Sequence, residues 1–263
     1  MGELRDLSLY ADGVQIAEGS RMRLKGRMTM SLRPDLWELN VHQIPDDALA
    51  ALYDAKKIAV RGQEGSLLAM GQVEEIYTHD EDGKYIATVL IADGTDFWTS
   101  TVSVSLAGKN SVLDAVRMLA VRCSCPVPVV HIYAKDMSLF RGQTFHGRTA
   151  GYISDLAKSL DARAYFTRGG LYLVTRGVAS SEIVLSEDDI IGGVSEADGA
   201  CFVRLAKMQG YDIGHIVRLP GRAAKYRLLC QTVEADNYQG AWRTELILIN
   251  EDRIETGDDW GGG

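Results

Sequence analysis

Between Met22 and Met30 the chain alternates strictly, with Met22, Leu24, Gly26, Met28 and Met30 on one side and Arg23, Lys25, Arg27 and Thr29 on the other. Successive side chains of an extended strand point to opposite faces, so a period of two marks a half-buried strand and excludes an amphipathic helix over the same residues. The alternation recurs upstream, where Leu7, Leu9, Val14 and Ile16 flank Ala11-Asp12-Gly13, and Asp-Gly between two such runs signals a tight hairpin. It recurs downstream in Leu36–Val41, 57–61, 67–76 and Tyr85–Ile91, the last closed by Asp93-Gly94, with Asp80-Glu81-Asp82-Gly83 as a polar hairpin tip. A long strand is expected over about 97–106, which leaves Pro45 to Tyr53 as the one helical stretch of this part.

The pattern changes at Lys109-Asn110-Ser111. Asn110 or Ser111 can cap a helix whose apolar face is Val112, Leu113, Val116, Leu119, Ala120 and Cys123, stopped by Pro126 and Pro128. A short strand (127–133), a second helix (149–160) and a hairpin turning at Arg168-Gly169-Gly170 follow, with Leu171 to Val174 as its return strand. From about residue 178 the chain is β again, with a bend at Gly192-Gly193 and a turn at Asp236–Gly240 before the last strand, Trp242 to Ile249. The predicted fold is mainly β with a small α/β insertion, in two tube-like β-barrels: a first barrel over 1–108, the insertion over 109–177, a second barrel over 178–254, and a flexible tail over 255–263. There is no βαβ alternation of the kind a doubly wound sheet needs.

Charge and chemistry-bearing residues exclude several functions. With 28 Lys and Arg against 36 Asp and Glu, the formal net charge is −8, a poor basis for a nucleic-acid surface. No apolar run approaches the roughly 20 residues that span a membrane, and the N-terminus lacks a signal-peptide layout, so a protein made in a cytoplasm and not inserted in a membrane is expected. Cys123-Ser-Cys125 is too tightly spaced for a zinc pair, and Asp80–Gly83 lacks the spaced ligands of a calcium loop. His42, His79, His131, His146 and His215 are scattered, and no Gly-x-Ser-x-Gly elbow marks a nucleophile. Glu74-Glu75 and Asp188-Asp189 read as a solvated edge and a helix cap, since adjacent carboxylates on a strand diverge. No catalytic, cofactor or metal site is expected.

Three segments together resemble the baseplate hub family of contractile-tailed phages, also labelled late control protein D or phage tail protein D. The first runs Met28-Thr29-Met30, Trp37-Glu38-Leu39, Lys57–Val60 and Ala69-Met70-Gly71-Gln72-Val73, and closes on Leu90-Ile91-Ala92-Asp93 ahead of Gly94. The second is the helical unit with its Gly170-Leu171-Tyr172-Leu173 return strand. The third is the most specific: Asp212-Ile213-Gly214-His215, then Lys225-Tyr226-Arg227-Leu228, then Asp236-Asn237, Gly240, Trp242 and Thr244-Glu245-Leu246.

The resemblance implies a structural subunit and no enzyme. Hub subunits of this family carry two barrels similar to the tail-tube fold and assemble as trimers. Six quasi-equivalent barrels would then match a sixfold tail tube or tube initiator on one side and a threefold central spike on the other, among other baseplate proteins. DNA would pass through the ring without specific binding, and an acidic lumen would suit that passage. The place implied is the virion tail baseplate, assembled in the host cytoplasm. The chain is short for the family and shows no lysozyme-type or needle-type extension. Trp37 and Trp98 are expected in the barrel core, and Trp242 as an anchor of the last strand or a contact with a neighbouring subunit. Trp260, in a Gly-rich acidic tail, is expected to dock on the spike or the next hub chain. The rival readings are a distal-tail or tube-closing ring protein, a tail-associated peptidoglycan hydrolase, and a small-barrel nucleic-acid binder.

Overall fold

The computed structural model describes residues 7–62, 65–81, 84–123, 127–139, 141–178, 181–239 and 241–253. The turn residues Asp82 and Gly83, Cys125, Gly240, Trp260 and the whole 255–263 tail lie outside them. Within them the fold is mainly β with an α/β insertion, as the alternation predicts.

The first segment supplies β1 (Ser8–Ala11), β2 (Val14–Ile16), β3 (Arg21–Thr29), β4 (Asp35–His42), α1 (Asp46–Asp54), β5 (Ile58–Arg61), β6 (Leu67–Glu81) and β7 (Lys84–Asp93). The Asp12-Gly13 hairpin forms with Ala11 opposite Val14, and both turn residues have positive φ, 47° and 85°, as an Asp-Gly two-residue loop requires. In β3 the sequence alternation becomes burial: Met22, Leu24 and Met28 are buried while Arg23, Lys25 and Arg27 are exposed.

The third segment supplies β13 (Glu182–Val184), β14 (Ile190–Ala197), β15 (Ala200–Leu205), β16 (Ile216–Arg218), β17 (Lys225–Asp236) and β18 (Ala241–Asn250). The two β units share one continuous 13-stranded sheet, ordered β14-β15-β18-β17-β3-β4-β7-β6-β5-β1-β2, with β16 on β17 and β13 on β16. Their common core joins Leu24, Leu39, Val89 and Ile91 to Val203, Val233, Leu246 and Leu248. The Gly192-Gly193 bend proves to be a bulge inside β14, where both glycines have positive φ and the pairing slips between Ile191 and Val194.

The insertion holds α2 (Thr95–Thr99), β8 (Thr101–Leu106), α3 (Val112–Arg122), β9 (Val129–Tyr133), β10 (Gln143–Arg148), α4 (Thr149–Ser159), β11 (Ala162–Thr167) and β12 (Gly170–Thr175). Ser111 caps α3 in a reciprocal capping box with Asp114. Helices α3 and α4 lie over a separate core that includes Phe97, Val102, Leu119, Phe145, Ile153 and Leu171. The expected strand at 97–106 is therefore a five-residue helix followed by β8, and among the described residues β8 pairs only with β10. Phe97 and Val102 belong to this second core, so the insertion begins at about residue 94, ahead of the expected boundary at 108. Trp98 packs at the edge of that core and does not join Trp37. No helix among the described residues is long and apolar enough to cross a membrane.

Candidate functional site

The sheet contains an internal repeat. In chain order the first unit contributes β3, β4, β6 and β7, and the second β14, β15, β17 and β18. Read along the sheet, β14-β15-β18-β17 and β3-β4-β7-β6 both run first, second, fourth, third. In each unit a short strand immediately upstream flanks the third strand, β5 on β6 and β16 on β17. Each third strand also slips by one residue against the fourth, between Val73 and Glu75 and between Leu228 and Cys230. The seam between units is β17 against β3, with Cys230 opposite Thr29 and Asp236 opposite Arg23, a third strand meeting a first. The outer ends of this eight-strand run are another first strand, β14, and another third strand, β6. Among the described residues β14 pairs only with β15, and β6 over Gln72–Glu81 only with β7.

The solvent face of this run alternates in charge across its strands. Lys25 stands between Glu38 and Glu234, Glu234 faces Arg243, Glu245 faces Arg204, and Arg23 faces Asp236. Arg23 Nη2 donates to Glu234 Oε1 at 2.9 Å, and Arg243 Nη2 lies 2.6 Å from Glu245 Oε1. The basic side of β3 thus finds acidic partners on β17 and β4 of the same chain, and the face is mixed in sign. Arg23 and Glu234 keep 52% and 41% of their side chains exposed, so solvent screens the pair. Glu234→Ala is expected to cost under about 1 kcal/mol in chemical denaturation, because exposed pairs contribute only that much.

The sequence-predicted motif residues separate into roles. Trp37 is buried over Gly26, where an added Cβ would lie 2.5 Å from its ring. Gly71 lets β6 pass Ala92, whose carbonyl oxygen would meet a Cβ at 2.3 Å. Gly94 starts α2 with φ 91° under Phe166. Asp236 Oδ1 accepts the amides of Tyr238 and Gln239, both at 2.9 Å, which closes the turn. Asn237 binds back to β3: its Oδ1 accepts Met22 N at 2.7 Å and its Nδ2 donates to Ser20 O at 3.1 Å. Trp242 is half-buried against the sheet core, and Tyr226 is buried with its hydroxyl 3.1 Å from Arg222 Nη1. These residues shape hairpins and the seam; they do not converge on a cavity.

What does converge is a junction of all three segments at the tip of the β11–β12 hairpin. Arg168 pairs with Asp212 of the third segment and donates through Nη2 to Leu67 O of the first at 3.0 Å. The next amide, Gly169 N, donates to Asp93 Oδ1 at 3.2 Å. Burial pushes the Asp93 carboxyl up to about 6, against the opposing pull of the Arg168 and Gly169 amides. The hairpin face is a ladder of rings in register, Tyr165 on Tyr172 at 5.0 Å and Tyr172 on His131 at 4.4 Å, with Gly214 over the Tyr165 hydroxyl. Neither Arg168 nor Asp212 carries a local signal of this role, because Arg168 reaches partners 44 and 101 residues away in sequence.

Among the described residues the geometry offers no reacting constellation. Ser181 Oγ lies 2.9 Å from His215 Nδ1 and 3.3 Å from Nε2, and Asp212 Oδ2 is 3.8 Å from Nε2. A relay places the hydroxyl on one ring nitrogen and the carboxylate on the other. Here the hydroxyl is shared between both nitrogens, and Arg168 occupies the carboxylate. Asp189 caps Ser186, accepting its amide and hydroxyl at 2.8 and 2.6 Å. A cavity of about 500 Å³ in the insertion is walled by Met137, Leu139, Phe145, Tyr152 and Leu156, with Asp155 its one carboxylate. Among the described residues no group of His, Cys, Asp and Glu could hold a metal ion.

No family model matches the sequence, and no curated protein matches it. Solved structures do match the fold over nearly the whole chain. A tail protein from Neisseria meningitidis superposes with a TM-score of 0.67 at 14% identity, covering 97% of this chain and 98% of its own. A 43 kDa tail protein of prophage MuSo2 from Shewanella oneidensis gives 0.66 at 12%, covering 95% and 100%. An E. coli component of the type VI secretion system, described as similar to the phage T4 tail proteins gp27 and gp5, gives 0.61 at 10%, covering 92% and 76%. The fold is therefore one used by phage tail proteins and by a secretion-system relative of them.

Proposed function

We propose that this chain is a structural subunit of a phage-type tail, a baseplate hub protein whose trimer forms a pseudo-sixfold ring between the tail tube and the central spike. The observation that carries this reading is the open tandem repeat. The internal seam joins a third strand to a first strand, and the eight-strand run ends on a first strand, β14, and on Gln72–Glu81 of a third strand, β6, each with one edge unpaired among the described residues. A copy docked so that its β14 meets β6 of its neighbour repeats the seam between molecules. Such a head-to-tail contact closes into a ring when its rotation permits, and three chains then supply six similar units. Closure also removes the exposed edges that a sheet otherwise leaves open to aggregation. The tail-protein folds it shares, the mixed charge of the sheet face and the absence of a reacting constellation among the described residues all support a structural part with no bond chemistry. The place that follows is the virion baseplate, with DNA crossing the ring without specific contacts.

The first experiment is the native mass of the purified chain with negative-stain images. The expected result is a trimer with a central hole, formed alone or on addition of the spike. A hexameric ring moves the chain to a distal-tail layer, and a monomer that no spike assembles removes the reading. Clearing of cell-wall material in a zymogram would make it a hydrolase. The edges themselves are tested by the double variant Tyr77→Lys and Ile191→Lys. Both residues are 44% exposed, one on each open edge strand. Like charges facing each other across paired strands are unfavourable, so the variant is expected to run as single chains with a thermal midpoint within a few degrees of wild type. An unchanged oligomer would show that these edges are not the interface.

A further inference from the structure

We propose that Asp35 and Asp93 hold one proton between them and that this pair sets how firmly the insertion sits on the sheet, loosening it as the solution turns alkaline. The two residues are direct partners in the β4–β7 register. Both are buried, at 3% and 9% exposure. Opposite residues of an antiparallel pair have Cβ atoms about 4.5–5.5 Å apart, so two charged carboxylates here would repel at close range in a poorly solvated place.

The hydrogen bonds of Asp35 are lopsided. Its Oδ1 takes both nearby donors, Thr29 N at 2.8 Å and Thr29 Oγ1 at 3.0 Å, while Oδ2 is buried with no partner among the described residues. A bare carboxylate oxygen in that position is costly; a protonated one becomes a donor. Asp93 needs an acceptor oxygen free for Gly169 N, the amide at the hairpin tip of the insertion. One proton for two carboxyls, placed on Asp35, removes the buried like-charge repulsion and leaves Asp93 an acceptor for Gly169 N. The groups facing the pair agree with this. Asp35 meets Thr29 and Arg27 from β3, Asp93 from β7 and Cys230 from β17, and Arg27 alone is cationic. Asp93 meets Lys57 ahead of β5, Tyr172 of β12 and the Arg168-Gly169 tip.

Burial, helped by the neighbouring Asp93, pushes Asp35 up to about 8, and burial pushes Asp93 up to about 6. Both values lie above the ordinary carboxyl range, so the folded chain holds protons that the unfolded chain has already released. Through this pair, stability is greatest at acid pH and is lost progressively as pH rises through 6 and 8. Above 8 both groups are charged. Strand β7 can then relieve the repulsion by drawing Asp93 away from the hairpin tip, which unseats Arg168 and Gly169 while the sheet core stays intact.

The test uses the full chain. Hydrogen exchange, corrected for the intrinsic effect of pH, is followed at pH 6.5 and pH 9 together with a carbon-13 titration of the aspartate carboxyls. The expected result is two apparent titrations, one near each value, with amides of 166–170 exchanging at least tenfold faster at pH 9 and amides of β3 and β4 unchanged. Asp35→Asn keeps the acceptor for Thr29 and carries a permanent donor in place of the proton. It should abolish the pH 9 acceleration and leave Asp93 titrating near 6, because burial and not a charge on Asp35 raises it. Ordinary titration of both carboxyls, persistence of the acceleration in Asp35→Asn, or failure of that neutral variant to fold at any pH would each overturn the proposal. Asp93→Asn gives a second reading, since it removes the repulsion from the other side and should flatten the pH dependence too.

Discussion

Arg227→Leu should destabilise the chain by about 3–5 kcal/mol, the range for removing one member of a buried ion pair. Arg227 sits in β17 at 1% exposure and pairs through Nε with Glu251, itself buried at 4%. Its Nη1 donates to Gly214 O at 2.8 Å and its Nη2 to Val178 O at 2.9 Å, while Glu251 Oε2 accepts Gly177 N at 2.6 Å. One guanidinium thus ties β17, the turn ahead of β16, the exit of the insertion and the short helix after β18 into one network. Leucine fills the space but strands the buried Glu251 carboxylate and the carbonyls of Gly214 and Val178. The cost therefore comes chiefly from the partners left behind. Replacing both residues, as Arg227→Met with Glu251→Met, should recover a large part of the loss, because an apolar pair removes the stranded charge. Denaturant unfolding at an unchanged slope reads both effects. A single-variant loss below about 1 kcal/mol would mean that water reaches Glu251 on truncation and that the junction is looser than its geometry implies.

The sequence and the structure agree where information is local. The Asp12-Gly13 hairpin, the helix capped at Ser111, the Arg168–Gly170 turn and the Asp236–Asn237 turn each depend on residues within a few positions of one another, and all four stand where the sequence puts them. Strand faces were largely legible, since burial in β3, β4 and β15 keeps the period of two, with buried Asp35 beside exposed Leu36 and exposed Phe202 as the departures from apolar-in, polar-out. What was hidden is long-range. Nothing in Arg21–Thr29 says that its second neighbour is β17, about two hundred residues later, so the repeat order and its two open ends emerge only from the pairing. The insertion boundary was missed for a related reason. Val102, Val104 and Leu106 alternate like any strand, and alternation does not report which core the apolar face meets. Asp35 lies just ahead of the expected strand Leu36–Val41; its burial and its pairing with Asp93 come from the register of β4 on β7.

Gly214→Ala should lower stability by about 2–4 kcal/mol, and Tyr165→Phe should return part of that loss. Two costs add. Gly214 has φ 83°, where an L-residue pays about 1 kcal/mol or more over glycine. A Cβ there would also sit 2.2 Å from Tyr165 Oη and 2.6 Å from its Cζ, and forcing extra volume into a packed site costs about 1–3 kcal/mol. Tyr165 has little room to retreat. It is fully buried, stacked on Tyr172, and Tyr172 is stacked in turn on His131. Removing the hydroxyl in Tyr165→Phe takes away the nearest collision but leaves the ring carbon and the backbone cost. The double variant should therefore be more stable than the sum of the singles by about 1 kcal/mol, a coupling typical of residues in direct contact. Strict additivity would place the whole cost in the backbone of Gly214. It would also mean that the aromatic ladder of the insertion can slide past the third segment. Sub-additivity fixes the ladder against Gly214, and with it the Arg227 network that reads the same carbonyl.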